Sequence, residues 1–493
     1  MNLATIDRPG PRYFQLSWVA PCLIAGFIVP VILAEHFSLA FPEVTCASLL
    51  ATFTVFFGVL AFKLVQQRSQ LVWSPMPWLL MATSVYFGFG PLLYFFGAKD
   101  AKDYCEAVWP VTLDDLYWVT LVNGIGVALV FGVWWWRTRP MIHLQSIPFT
   151  HHGVVRTMAI FYVIGLPARS ITLLSEFGLI NYTAPSFLGW FGNFSNMGLV
   201  LLTATAFRRG GAWWSLCSAM LLLDVVAALG TFGKMPIVLS VMPCLLGYML
   251  YRPGVKSLLW VPIILFFTYL AGNSYVTYCR ANGWGGDTMA TRIETAKSYF
   301  TSGQDAKQKE YEQSQNWWSR LNYANNQTFV MQDYKEGSPG NSFELALYAP
   351  IPRFLWPGKP IIESGYELYH RLTGGETASF GIGFFVEAYW NGGWLYVILS
   401  SLVVGWILGT ITLVIAKEQS IENYWVLPIA LLWIKSGCGV SGWIHTEIVG
   451  PGVFTIIYIG LMRYFSLGKT IPLRKSRDQI GKGTLESRTG AAV

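Results

Sequence analysis

The sequence predicts an all-α polytopic membrane protein, and three observations carry that prediction. Hydrophobic residues make up 53% of the 493-residue chain and charged residues only 12%, about half the charge of a soluble chain. The apolar residues gather into runs long enough to cross a bilayer, which takes roughly 20 residues each. Many of the 22 Trp and 24 Tyr lie near the ends of those runs, where amphipathic rings settle at the lipid–water interface.

About twelve such runs are present. They cover 18–33, 44–62, 78–96, 117–136, 155–174, 187–207, 212–229, 235–251, 258–278, 394–416, 424–440 and 451–465. Arg8 and Arg12 precede the first run and no small-residue cleavage site follows it, so it reads as a retained signal anchor. Charge tests the count. Arg8/Arg12, Lys63/Arg68, Arg137/Arg139, Arg208/Arg209, Arg252/Lys256 and the tail Lys469, Arg474, Lys475 and Arg477 all fall on one side. The opposite connections are short or acidic; residues 99–115 hold five acids against two lysines. The positive-inside bias then places both termini in the cytoplasm, and it accounts for the net charge of +7 without nucleic acid. The expected organisation is a membrane domain at 1–271, a large external loop at 272–390, further spans at 391–466 and a basic cytoplasmic tail at 467–493.

Between 272 and 380, ten Lys/Arg face eleven acids, so the loop is no polybasic lipid-binding arm. Residues 290–318 read as a polar helix with tyrosines and tryptophans along one side. Near the loop's end comes Ala349-Pro-Ile-Pro-Arg353-Phe-Leu-Trp356-Pro-Gly-Lys359-Pro. Proline locks φ and restricts the residue before it, so the cations of this stretch have little freedom. Cations fixed beside a bilayer suit an anionic, lipid-borne group such as a diphosphate, Arg353 through its fork and Lys359 as a point charge. The plainer reading is ion pairing with the loop's acids. Arg320, in an aromatic and Asn-rich stretch, is a similar candidate. Lys234, in a tight turn, and Arg280, where the loop begins, bring further cations to the same face. A snorkelling role for Lys234 is equally open.

A Gly-rich stretch then leads through Glu387-Ala-Tyr-Trp-Asn391-Gly-Gly393 straight into the tenth run. A carboxylate there lies at or just inside the membrane surface, which is costly unless it is paired or functional. It suits a general base or hydrogen-bonding acid, against the plainer role of answering a helix dipole. His370 and the pair His445/Glu447 are external but read better as structural loop residues. Cys22, Cys46, Cys217, Cys244 and Cys438 lie in apolar runs and read as packing residues. Cys105 and Cys279 fall in expected loops and are open to pairing. No metal-ligand spacing, nucleotide-binding glycine loop or nucleophile elbow occurs, which disfavours metal hydrolysis and ATP chemistry.

Taken in order, Arg320 to Gln327, Gly337-Ser-Pro-Gly-Asn-Ser342, Ile351 to Pro360 and Glu387 to Gly393 resemble the Wzy-type oligosaccharide repeat-unit polymerases, O-antigen polymerases included. Tyr396 stands where that family often has a further glycine. The resemblance implies a membrane glycosyltransferase joining undecaprenyl-diphosphate-linked repeat units into a surface polysaccharide, with a chain-length regulator and a flippase as pathway partners. Arg353, Lys359 and Arg320 would hold the diphosphate, and Glu387 would orient or deprotonate the acceptor hydroxyl. Lys234, Arg280, Trp356, His370 and Asn391 would complete substrate binding. Neither cofactor nor metal is required. The shape would be like the GT-C type of membrane-embedded lipid-sugar glycosyltransferase, by analogy. Two rivals stand beside it: a transporter or flippase for lipid-linked glycans, which would place charges at mid-membrane in broken helices, and a ligase sharing the donor site.

Overall fold

The computed structural model describes residues 42–139, 153–181, 186–283, 289–302, 317–351, 356, 358–360, 362–375, 379–419 and 423–465. Among these residues the regular structure is entirely helical. The helices are α1 (Pro42–Gln67), α2 (Pro75–Phe96), α3 (Lys99–Val108), α4 (Leu113–Thr138), α5 (Val154–Glu176), α6 (Ser186–Arg209), α7 (Ala212–Gly230) and α8 (Lys234–Tyr251). There follow α9 (Val255–Gly283), α10 (Met289–Ser302), α11 (Ala324–Lys335), α12 (Ser342–Tyr348), α13 (Ser364–Thr373), α14 (Phe384–Gln419), α15 (Tyr424–Cys438) and α16 (His445–Tyr464).

Nine helices among the described residues are long and apolar enough to cross a membrane: α1, α2, α4, α5, α7, α8, α9, α14 and α16. The architecture is therefore that of an all-α, multi-pass membrane protein. The remaining expected runs fare differently. Run 18–33 lies outside the described residues. Run 187–207 is a full-length helix, α6, whose Asn193, Ser195 and Asn196 dilute its apolarity. Run 424–440 forms the short helix α15, which stops among Gly437, Gly439 and Gly442.

Helix contacts in lipid gain little from burial, so close backbone approach and polar bonds hold them together. Helix α14 lies along α4. There a Cβ on Gly405 would sit 2.6 Å from the Val130 carbonyl oxygen, and one on Gly409 2.8 Å from Arg137 Cβ. Trp134 Nε1 donates to Thr412 Oγ1 at 3.0 Å, and Ser74 Oγ lies 2.9 Å from the same oxygen. Helices α5 and α6 pack with Gly165 against the Ser195 backbone. Between α5 and α7, Arg169 pairs with Asp224 at 2.7 Å.

Helix α14 is not one rod. Gly392 (φ −171°) and Gly393 (φ +61°, ψ −154°) are non-helical, so a short helix at 384–391 bends into the long one that follows. The expectation that this stretch runs straight into its span is corrected at these two glycines. The expected polar helix 290–318 is helical over Met289–Ser302, where Tyr299 meets Tyr275 and Tyr278 of α9 edge-on at 5.3 and 5.4 Å. Residues 303–316 lie outside the description. Cys105 and Cys279 are buried free thiols within α3 and α9, not loop cysteines that pair.

Helices α11, α12 and α13 cap one end of the bundle. Trp318 anchors the start of this cap by stacking on Phe89 of α2 (4.9 Å, 7°) and donating from Nε1 to the Phe89 carbonyl at 3.0 Å. Helix α11 is polar yet buried, because its side chains bond the surrounding backbone. Asn325 Nδ2 reaches Cys105 O, Asn326 Nδ2 reaches Gly381 O, and Gln327 Nε2 reaches Ile382 O at 2.7 Å. Asn123 of α4 donates to Gln327 Oε1 at 3.2 Å.

Candidate functional site: the junction between cap and bundle

Glu387 lies in the short helix ahead of the α14 bend and is 0% exposed. Its Oε1 accepts from Ser342 Oγ at 2.7 Å and its Oε2 from the Ile444 backbone N–H at 2.6 Å. Ser342 opens α12 and Ile444 directly precedes α16. Helix N-termini present unsatisfied N–H groups and the positive end of the dipole, so a carboxylate is tolerated there. Without such partners a buried charge would be far too costly.

Asn391, one turn on, completes the junction. Its Nδ2 donates to Ser342 Oγ and to the Glu387 carbonyl, both at 2.8 Å, while its Oδ1 accepts from the Phe343 N–H at 3.1 Å. One amide thus caps α12 and closes the short helix before the bend. Gly340 N–H donates to Trp390 O at 3.0 Å, and Trp390 Nε1 donates to Ser338 O at 3.3 Å. The stretches 337–342 and 387–391, far apart in sequence, fold onto each other. In this arrangement both Glu387 oxygens are occupied and the side chain is closed off.

The other described candidates make contacts of their own, apart from the Glu387 hydrogen bonds. Arg353 lies outside the described residues. Lys359 turns back on its own segment, with Nζ donating to the carbonyls of Ala349 (3.1 Å) and Ile351 (2.9 Å). Trp356 is 37% exposed and meets Tyr348 edge-on at 5.5 Å. Arg320 is exposed, close enough to Tyr269 and Tyr323 to act on both electrostatically. His370 is exposed on α13. That helix docks on α11 through Arg371, which pairs with Asp333 at 2.6 Å and lies over the Phe329 ring. Burial raises the Asp333 carboxyl above its usual range, and Arg371 only partly offsets this.

Lys234 and Arg280 belong to a second locality. Arg280 Nε donates to Phe232 O at 3.0 Å, and Arg292, which the sequence reading passed over, donates to Gly230 O at 3.1 Å and lies over Phe177 and Phe232. Phe232 has φ +50°, and the two guanidinium groups secure the turn that holds it there. Lys234 opens α8 on the far side of this turn. Sequence spacing gave no sign of Arg292 because it is a lone cation in a polar helix. Ser342 was equally hidden as one hydroxyl in a Gly/Ser loop. Among the described residues no group of three or more His, Cys, Asp or Glu is placed to hold a metal ion.

Fold and site together define a multi-pass, all-α membrane protein with a helical cap hydrogen-bonded onto one end of its bundle. The chain belongs to the family described as a domain of unknown function (DUF8712), which matches residues 127–426 and so includes the cap and both halves of α14. No curated protein and no solved structure matches it.

Proposed function

We propose that this chain is a Wzy-type polysaccharide polymerase, a membrane glycosyltransferase acting at the outer face of a bacterial inner membrane. Its donor is a growing glycan on undecaprenyl diphosphate and its acceptor a second lipid-linked repeat unit. A sugar hydroxyl of the acceptor attacks the donor's anomeric carbon and lipid diphosphate departs. The proposal takes twelve spans, cytoplasmic termini, a periplasmic loop and a GT-C-like lateral cavity, with a chain-length regulator and a flippase as partners.

The observation that supports it best is the closure of 337–342 onto 387–391 through Ser342, Glu387 and Asn391. These are two of the stretches that resemble the polymerases, and the closure brings them to one end of the bundle. Cations preorganised where negative charge develops are commonly the largest catalytic contribution. Arg353, Lys359 and Arg320 are assigned that task, and Glu387 the positioning of the loop that carries the first two. A second reading, transport of a lipid-linked glycan, is favoured by one observation: Arg169 and Asp224 lie within candidate spans and pair there.

Deleting the gene and resolving the surface polysaccharide by electrophoresis tests the proposal. Loss of long chains with single repeat units retained, unrescued by stably expressed Arg353→Ala, supports a polymerase. Loss of the single units as well points to export or ligation instead.

A further inference from the structure

Two cysteines that the sequence reads as packing residues meet in the fold. Cys217 lies on α7 and Cys244 on α8, antiparallel helices joined by the short turn at 231–233. Both reach Thr203 of α6. Glycine makes the approach possible. A Cβ on Gly247, one turn beyond Cys244, would lie 2.6 Å from Thr203 Cβ and 2.6 Å from the Val200 carbonyl oxygen. Only a bare backbone fits there, so α8 comes in close against α6.

Thr205 donates its hydroxyl to the Leu201 carbonyl of its own helix at 2.8 Å. Thr203 instead donates to Cys244 Sγ at 3.5 Å, and the same oxygen lies 3.2 Å from Cys217 Sγ. The two thiols are hydrogen-bonded to each other as well. With one hydrogen apiece, the three groups close a ring: hydroxyl to Cys244, Cys244 to Cys217, and Cys217 back to the hydroxyl oxygen. Cys217 is buried and Cys244 half-buried. Packing alone would be served by any small apolar side chain, without the ring.

We infer that Cys217 and Cys244 are a redox-active dithiol, a site where a disulfide oxidant closes a reversible bridge between α7 and α8. Exchange runs through a mixed disulfide and uses the thiolate as nucleophile. The more accessible Cys244 attacks one sulfur of the oxidant. The oxidant's S–S bond breaks, and one half leaves as a thiolate that takes up the Cys244 proton. Cys217, already in contact, then attacks the Cys244 sulfur. The bond between the two cysteines forms, the second half of the oxidant leaves with its electron pair, and the Cys217 proton goes to it. Two thiols are oxidised and one disulfide is reduced to two thiols. The bridge fastens α7, the least buried of the candidate spans and the one whose Asp224 pairs with Arg169. The inference stands apart from the polymerase reading.

The test uses the full chain in liposomes and limiting dithiodipyridine, an apolar aromatic disulfide that enters the bilayer. The chain is then denatured, its remaining thiols are alkylated, and the digested peptides are weighed. The main product expected is a Cys217–Cys244 linked peptide, two hydrogens lighter than its parts and separated again by dithiothreitol, with two thiopyridones released for each linkage. Cys46, Cys105, Cys279 and Cys438, each on a helix of its own, are expected as free thiols or single pyridylthio adducts. Cys217→Ser, which removes the second thiol, should leave Cys244 as the pyridylthio adduct. Wild-type chains in which Cys217 and Cys244 are recovered separately, alkylated or capped, overturn the inference. Linkage that appears only after denaturation overturns it too.

Discussion

The Glu387 carboxylate accepts the Ile444 backbone N–H at 2.6 Å across 57 residues of sequence, joining the short helix before the α14 bend to the start of α16. With Ser342 on its other oxygen, this one side chain binds three segments at the seam between cap and bundle. Removing it leaves two buried donors without acceptors, each costing about 1–3 kcal/mol. Glu387→Ala is therefore expected to lose about 3 kcal/mol or more, read as a lower unfolding temperature in detergent. Glu387→Gln, which keeps one acceptor, should lose less. Ser342→Ala and Asn391→Ala share a hydrogen bond, so their losses should fall short of additive by about 1 kcal/mol. Additive losses would show that the three side chains do not act as a unit.

Gly393 adopts φ +61° and ψ −154°, a region open essentially to glycine alone. A Cβ there would also lie 2.7 Å from the Tyr334 hydroxyl oxygen. Gly393→Ala is expected to cost about 2 kcal/mol or more from backbone strain. Trimming Tyr334 to Ala in the same chain should not restore stability. Full rescue by that second change would mean that crowding, not backbone conformation, sets the bend.

Asp333 gives a pH dependence with a definite sign. Burial lifts its carboxyl above the ordinary 3.8 despite Arg371, so the folded chain holds that proton more readily than the unfolded chain. Its contribution to stability is fullest below pH 3.8 and is lost as pH rises through the folded value. Unfolding temperatures of wild type and Asp333→Asn, compared between pH 4 and 7, should shift in favour of the variant as pH rises. Arg371→Met should cost about 2 kcal/mol at neutral pH, where it strands the charge, and progressively less in acid. A constant difference across that range would show that Asp333 keeps its ordinary proton affinity.

Lys359 binds the carbonyls of Ala349 and Ile351 as well as being assigned to the diphosphate. Lys359→Met should therefore speed proteolytic cleavage within 349–360 even without substrate, alongside its effect on polymer length. Unchanged cleavage with shortened polymer would assign the lysine to substrate alone.

The membrane class was legible because apolar runs and basic clusters are long-range patterns that local detail cannot blur. The Gly392–Gly393 pair was visible too, although only the fold shows that it bends α14. Gly405 and Gly409 have the four-residue spacing of close helix contacts, yet the sequence does not say that α4 is the partner. The junction was half legible. Glu387 and Asn391 stood out because a carboxylate at a span's edge is costly unless it is paired or functional, and Asn391 follows it by one helical turn. Ser342 and the Ile444 N–H did not, because a hydroxyl in a Gly/Ser loop and a backbone amide carry no sequence signal. Lys359 read as a cation for a diphosphate or for the loop's acids, since only the folded turn brings the Ala349 and Ile351 carbonyls to its ammonium.

The most direct measurement places purified protein in liposomes with lipid-diphosphate-linked repeat units, following glycan length and released lipid diphosphate together. The proposed function predicts a ladder of lengthening glycans, with one lipid diphosphate released for each linkage formed. Repeat units that cross the bilayer at unchanged length, with no diphosphate released, would contradict it.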